Sequence, residues 1–293
     1  VTPGVVSRVL AAIAKSGGPG AAKSTRACLS GMFGLAIQDS AISANPVRDS
    51  VAKIATNKKS PRALTVDETT QLTRMLRADD RAVALDLPDV VDWMLATGCR
   101  IGEALALRYG VNSEGRPLLD LEVGTWEVNA TVVRQPGRGL VVQPRPKTAA
   151  GWRVVAVPTF ATSMLRARPA SGGLVFTTPF ADGLRDPNNV SGDLRQLLDS
   201  FECDACARTG YQIAKDGSFI LGDRSQRLRC DQGPWSWVTS HTFRKTVATR
   251  LDEAGFTPRQ VADQLGHANP SMTLDVYFGR HVVNAAAADV LDR

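Results

Sequence analysis

Residues 240–280, SHTFRKTVATRLDEAGFTPRQVADQLGHANPSMTLDVYFGR, hold two of the chain's three His and one of its three Tyr, with Arg244 and Lys245 among several further basic residues. His241 and Arg244 stand three apart, neighbours on one face of a helix whose other face carries Phe243, Val247 and Leu251 at four-residue intervals. Gly255 ends that helix. Thr257 caps and Pro258 opens a second one, and Gly266 stops it, so His267 projects from a helix C-terminus beside a turn. Asn269 and Pro270 open a third helix that carries Tyr277 into reach two turns later. Guanidinium groups grip phosphate oxygens bidentately, a phenol is a nucleophile once its proton is taken up, and imidazole moves protons near neutral pH. Those residue types together suit attack on a phosphodiester.

The elements that must position these groups can be read upstream. "DLPDVVDWMLATGCRIGEALAL" reads as a helix through Leu95, a break at Gly98 with Arg100 beside it, and a second helix with Ile101, Ala104 and Leu105 on one face. The Val-rich runs "TWEVNATVV", "GLVVQP" and "RVVAVP", bounded by Gly and Pro, predict a small antiparallel sheet, with Lys147 in the turn between the last two. Helix resumes over residues 186–200, and "YQIAKDGSFIL" has the Asp-Gly signature of a hairpin. Before all this, Thr2 and Pro3 start one helix, "KSGGPG" interrupts it, and residues 21–39 place Leu29, Met32, Phe33, Ala36 and Ile37 at helical spacing. "NKKSPRAL" is basic, polar and short of apolar residues, as a linker is. Thr65 and Glu68 then form a capping-box pattern ahead of Leu72 and Met75, a fresh helix start. The expected organisation is a helical unit over 1–56, a linker over 57–64 and a larger unit over 65–293. The expected fold class is mainly α with a small antiparallel β-sheet (α+β).

Composition sets the wider limits. With 293 residues and 43% hydrophobic content, the chain can bury a real core. Thirty-five Lys and Arg against 29 Asp and Glu give a net charge of +6, which suits a polyanionic partner but is common without one. No run reads as a membrane span or a secretory signal, so a cytoplasmic protein with no membrane partner is expected. The first residue is Val rather than Met, as in a fragment of a longer chain. Five scattered Cys argue against a disulfide framework. Cys203, Cys206 and Cys230 offer three legs of a zinc site without a fourth, which makes them weak metal candidates; the segment carrying them reads as a structural insertion.

The motifs resemble those of the tyrosine recombinase, or phage integrase, family. "SHTFRKTVATRL" with its HxxR, "LGH" 23 residues after that Arg and "TLDVY" ten residues after that His are similar to the family's carboxy-terminal signature. "ATGCRIGEALAL" resembles its first-arginine motif and "RPKTAAGWRVVAVP" its β-hairpin lysine motif, while "TRACLSGMFGLAIQDSAISANPV" looks like the end of its helical core-binding domain. The resemblance implies catalytic Arg100, Lys147, His241, Arg244 and His267, with Tyr277 as nucleophile and Glu103 supporting the first Arg. It also implies a tyrosine-recombinase catalytic fold behind a partial core-binding domain at 1–56, since family core-binding domains are longer than that.

The function implied by the resemblance is that of a site-specific DNA recombinase that cleaves and rejoins strands through a 3′-phosphotyrosine, with no cofactor. Its partners would be double-stranded DNA target sites, three further copies of itself in a homotetramer on paired sites, and accessory DNA-bending and directionality proteins. The chemistry is coherent: Arg100 and Arg244 clamp the non-bridging oxygens, His241 takes up the Tyr277 proton, Lys147 protonates the departing 5′ oxygen, and His267 hydrogen-bonds the phosphate. Two other readings share the pattern, a type IB topoisomerase-like relaxing enzyme and a catalytically silent DNA-binding relative.

Overall fold

The KSGGPG sequence bends the first helical run. Helix α1, Pro3–Gln38, is kinked at Gly18 (φ 81°, ψ 170°), a conformation open to glycine, with Pro19 next to it. Val6 and Leu10 from its first arm, with Val47 beyond the helix, form a small core against Leu29 and Phe33 of the second arm. Met32 and Ile37, expected on the same apolar face, are exposed. They flank the narrow stripe that two packed helical arms cover. Asn45 closes this unit by donating to the Ser30 carbonyl (3.0 Å) and accepting from the Val47 N–H (3.0 Å).

The computed structural model describes residues 1–50, 62–144, 152–168, 173–179, 183–201, 212–213, 219–220 and 233–267. The chain divides into two compact units, Val1–Ser60 and Pro61–Arg293. In the second, Thr65 and Glu68 make the reciprocal capping box: the Thr65 hydroxyl accepts from the Glu68 N–H (3.1 Å) and the Glu68 carboxylate from the Thr65 N–H (2.9 Å). Helices α2 (Val66–Ala78), α3 (Asp80–Ala84), α4 (Leu87–Thr97) and the single turn α5 (Ile101–Ala104) come next. Leu87, Val90, Val91, Trp93, Met94 and Leu95 are all buried, so α4 is apolar around most of its circumference and runs through the core.

The strands are β1 (Leu119–Asp120), β2 (Thr125–Val128), β3 (Thr131–Gln135), β4 (Gly139–Gln143) and β5 (Arg153–Ala156). All pairings are antiparallel, in the orders β1-β2-β5 and β3-β4, with Trp126 opposite Val155 and Val132 opposite Val142. The run TWEVNATVV is therefore two strands with different partners. Strands β4 and β5 were expected to flank a hairpin turn at Lys147, but each pairs elsewhere. Lys147 itself lies outside the described residues. Trp93 of α4 meets Trp126 of β2 with ring centroids 5.2 Å apart, which joins the helical core to the sheet.

Helix α6 (Thr159–Arg166), which no strong sequence cue announces, buries Ala161 and Leu165. Helix α7 (Pro187–Ser200) is capped by Asp186, whose side chain accepts from the Asn188 N–H. The short β6 (Gln212–Ile213) and β7 (Phe219–Ile220) pair antiparallel across the Asp216-Gly217 sequence. Helix α8 (Ser240–Glu253) packs against α4 with Phe243 fully buried, and α9 (Pro258–Leu265) packs against α8. Thr257 caps α9 by accepting from the Gln260 N–H, and Gly266, at φ 70°, stops it. Among the described residues, no helix is long and apolar enough to cross a membrane.

Candidate active site

Gly98 is where three helices meet. It ends α4 in the left-handed region (φ 68°), its N–H bonded to the Met94 carbonyl at 2.9 Å. A Cβ there would stand 2.7 Å from Leu265 Cδ2 and 3.1 Å from Val247 Cγ1, so α9 and α8 both close on this residue. Only glycine meets both demands. The Gly98 carbonyl accepts from Arg244 Nη1 at 2.8 Å, and Arg244 Nη2 donates to the Leu265 carbonyl. Arg244 is 2% exposed. Its planar fork thus ties the end of α4 to the end of α9.

Two residues beyond Gly98, Arg100 forms the N-cap of α5. Its N–H donates to Glu103 Oε2 (3.0 Å) and its Nη1 to Glu103 Oε1 (2.8 Å), while its side chain stays 45% exposed. The turn packs tightly on β3: a Cβ on Gly102 would lie 2.6 Å from Thr131 Oγ1 and 2.9 Å from the Val132 carbonyl. On the far side of Glu103, Arg153 Nη2 donates to Oε2 at 2.9 Å and Arg153 Nε to the Gln264 carbonyl at 2.8 Å. Burial pushes the Glu103 carboxyl upward; the Arg153 charge and hydrogen bond, helped by Arg100, reverse this and hold it below the usual carboxylate range.

A cleft of about 290 Å³ opens over these groups, lined among others by Arg100, Thr131, Pro187, Ser240, His241 and Arg244. Desolvation, then the charges of Arg244 and Arg100, lower the His241 pKa. His267, with its backbone N–H bonded to the Ala262 carbonyl at 2.9 Å, is pushed down to about 4 by burial and then by Arg244, Arg100 and Arg153, with Glu103 opposing. Both imidazoles are consequently neutral at pH 7. The arrangement offers positive charge for an anion and neutral nitrogens that can take or share a proton.

Of the residues singled out from the sequence, Arg100, His241 and Arg244 line one cleft, Glu103 braces Arg100 from behind, and His267 lies within the electrostatic reach of all three arginines. Lys147, Tyr277, Cys203, Cys206 and Cys230 lie outside the described residues. Cys99, which the spacing did not mark, lines the cleft; burial first, then Glu103, pushes its thiol up to about 12, so it is an inert thiol. No group of three or more His, Cys, Asp or Glu among the described residues could hold a metal. Arg153 was also missed. The strand period places Arg153 on the face of Val155, but Val154 and Ala156 make the other face apolar too, and only the structure shows that the Arg153 face is the buried one.

Residues 223–282 match the model of the phage integrase family. The chain is 22% identical over 265 residues to the transposase from transposon Tn916 of Enterococcus faecalis, covering 89% of this chain and 58% of that protein. It is 22% identical over 216 residues to the prophage ps2 probable integrase of Lactococcus lactis, covering 74% of this chain and 49% of that protein. It therefore spans about half the length of these relatives. The fold is similar to that of the Tn1549 transposon integrase in complex with a circular intermediate DNA (TM-score 0.72, 19% identity, 99% of this chain and 85% of that one). It is also similar to a lambda integrase dimer bound to a COC′ core site (TM-score 0.55, 16% identity, 96% and 82%). The chain thus carries a stretch similar to the phage integrase family near its carboxy-terminal end, within a fold similar to that of the Tn1549 and lambda integrases.

Proposed function

We propose that this chain is a site-specific DNA recombinase in which Tyr277 attacks a phosphodiester, leaving a 3′-phosphotyrosine and a free 5′-OH. The observation that carries the reading is the convergence of Arg100, His241 and Arg244 on one cleft. In it, Arg100 and Arg244 bind the non-bridging oxygens, whose charge grows as the phenol attacks. His241, neutral at pH 7, accepts the phenol proton; burial is the larger cause of its lowered pKa, and a bound phosphate offsets the lesser one, the field of the two arginines, and so raises its basicity. Lys147 donates a proton to the departing 5′ oxygen, and His267 hydrogen-bonds the scissile phosphate. The energy of the broken bond is kept in the phosphotyrosyl link, so rejoining needs no nucleotide. The substrate is duplex DNA, and paired target sites would be held by four copies of the chain. The relatives carried by a transposon and a prophage support this assignment by their names.

The test is covalent trapping. Randomised duplexes carrying a nick lose the short strand once cut, so an active enzyme stays attached in denaturing detergent. Wild-type protein is expected to form such adducts, and Tyr277→Phe to bind the recovered duplexes without attachment. Binding with no adduct identifies a silent DNA-binding relative; adducts that persist in Tyr277→Phe remove Tyr277 as the nucleophile.

A further inference from the structure

We infer that Arg153 is a positioning residue for the strand cleavage proposed above: one buried guanidinium sets Arg100 and the carboxy-terminal end of α9 in a common register. The inference rests on that reading for its catalytic consequence and on the structure for its geometry. The Arg153 side chain is 6% exposed and is not among the residues lining the cleft, so it acts through others. One of its nitrogens holds Glu103, whose two oxygens hold the Arg100 main chain and guanidinium. Another holds the carbonyl of Gln264. The next carbonyl, that of Leu265, receives Arg244, and His267 lies two residues further on. Gln264 also reaches back through its side chain to the Thr97 carbonyl at 3.2 Å, at the end of α4.

The strand that carries Arg153 is itself firmly registered. Arg153 sits opposite Val128 in the β2–β5 ladder. Trp152, immediately before it, donates from Nε1 to Glu127 Oε1 at 3.0 Å, and Asn112 Nδ2 donates to the other oxygen of that carboxylate at 2.7 Å. The guanidinium therefore leaves a fixed backbone and reaches two different elements at once. A planar fork can do this, whereas a lysine ammonium, a point charge, satisfies the carboxylate without the divergent second bond.

The experiment uses the full chain with Arg153→Lys and Arg153→Met. Its first readout is the order of the Arg100 side-chain Nε–H by NMR relaxation, which needs no activity. The second is the single-turnover rate of adduct formation on the nicked duplex recovered by wild-type trapping, alongside affinity for that duplex. Arg153→Met is expected to lose Arg100 order, which Arg153→Lys keeps by holding Glu103, and in both variants cleavage at saturating DNA is expected to fall about 10²-fold with affinity unchanged, the scale of an ångström-level misplacement. Adding Glu103→Gln to Arg153→Met removes the buried negative charge that has lost its Arg153 partner; this is expected to restore thermal stability but not rate. Wild-type Arg100 order in Arg153→Met overturns the inference. So does full cleavage in the double variant, which makes Arg153 a prop for the fold alone. If wild-type protein forms no adduct, the proposed reaction fails separately, and Arg100 order still decides what Arg153 does.

Discussion

The two arginines of the cleft are held by opposite means. Arg100 caps a short, mostly buried turn, keeps 45% of its own side chain in solvent, and is aimed by a carboxylate. Arg244 lies in the middle of a packed helix pair, 2% exposed, and donates to the carbonyls of Gly98 and Leu265. A carboxylate orients a guanidinium strongly but cancels part of its charge, whereas carbonyl dipoles orient it and cancel little. An anion entering the cleft must share Arg100 with Glu103, while Arg244 presents its charge from a fixed seat. The exposed side thus adapts and the buried side holds position.

The sharpest way to break this contrast is Gly98→Ala, because the buried seat depends on a left-handed glycine against which both α8 and α9 pack. The strained backbone and the clash with Leu265 together are expected to cost about 2–5 kcal/mol in chemical denaturation. A cost below about 1 kcal/mol, the usual penalty of a left-handed non-glycine residue alone, means that α9 moves away freely and the seat is not rigid.

Next is Arg244→Lys, which keeps the charge and loses the fork. Cleavage on a trapped-site duplex is expected to fall at least about 10²-fold, the scale of one lost oxyanion donor. Near-wild-type cleavage means that Arg244 is only a tether between α4 and α9.

The pH dependence separates charge from packing. His267 is held near about 4 in the fold against an ordinary value of 6.5, so the unfolded chain takes up the proton first. Stability from this group is complete above about 6.5 and falls as the pH drops toward about 4. Glu103 adds a second loss below its ordinary 4.5, as its depressed carboxyl is finally protonated. Melting temperatures across this range are expected to fall less steeply from 6.5 to 4 in His267→Gln; an unaltered slope assigns the loss to other groups, His241 among them.

The smallest effect serves as the reference. Thr65→Ala removes a cap on α2 that touches neither arginine, with an expected cost of about 1 kcal/mol in stability and no change in the cleavage rate of the folded protein. A change in rate instead couples α2 to the cleft.

What could be read from the sequence were features whose chemistry is local. Thr65 with Glu68, Thr257 with Pro258, and the stops at Gly98 and Gly266 mark helix ends because a cap is satisfied within a few residues of itself. The face of Phe243, Val247 and Leu251 comes from the helical period, and the fold class from the order of helical and strand-like runs. The HxxR spacing put His241 and Arg244 on one helix for the same reason. Pairing was another matter. Nothing in TWEVNATVV says that its first half bonds to β5 and its second to β4, because strand partners are chosen by which edges meet in the packed core. Nor do neighbouring residues reveal that Arg244 ends on the Gly98 carbonyl 146 positions away, or that Arg153 joins Glu103 to Gln264 across 50 and 111 positions. The sequence by itself determined where the capped and glycine-stopped helices begin and end and which side chains share a helical face, since backbone hydrogen bonding and side-chain period act over a few residues. Only the tertiary structure decided which carbonyls and carboxylates hold the arginines, because a buried charge takes its partners from whatever polar groups the folded core brings within about 3 Å of it.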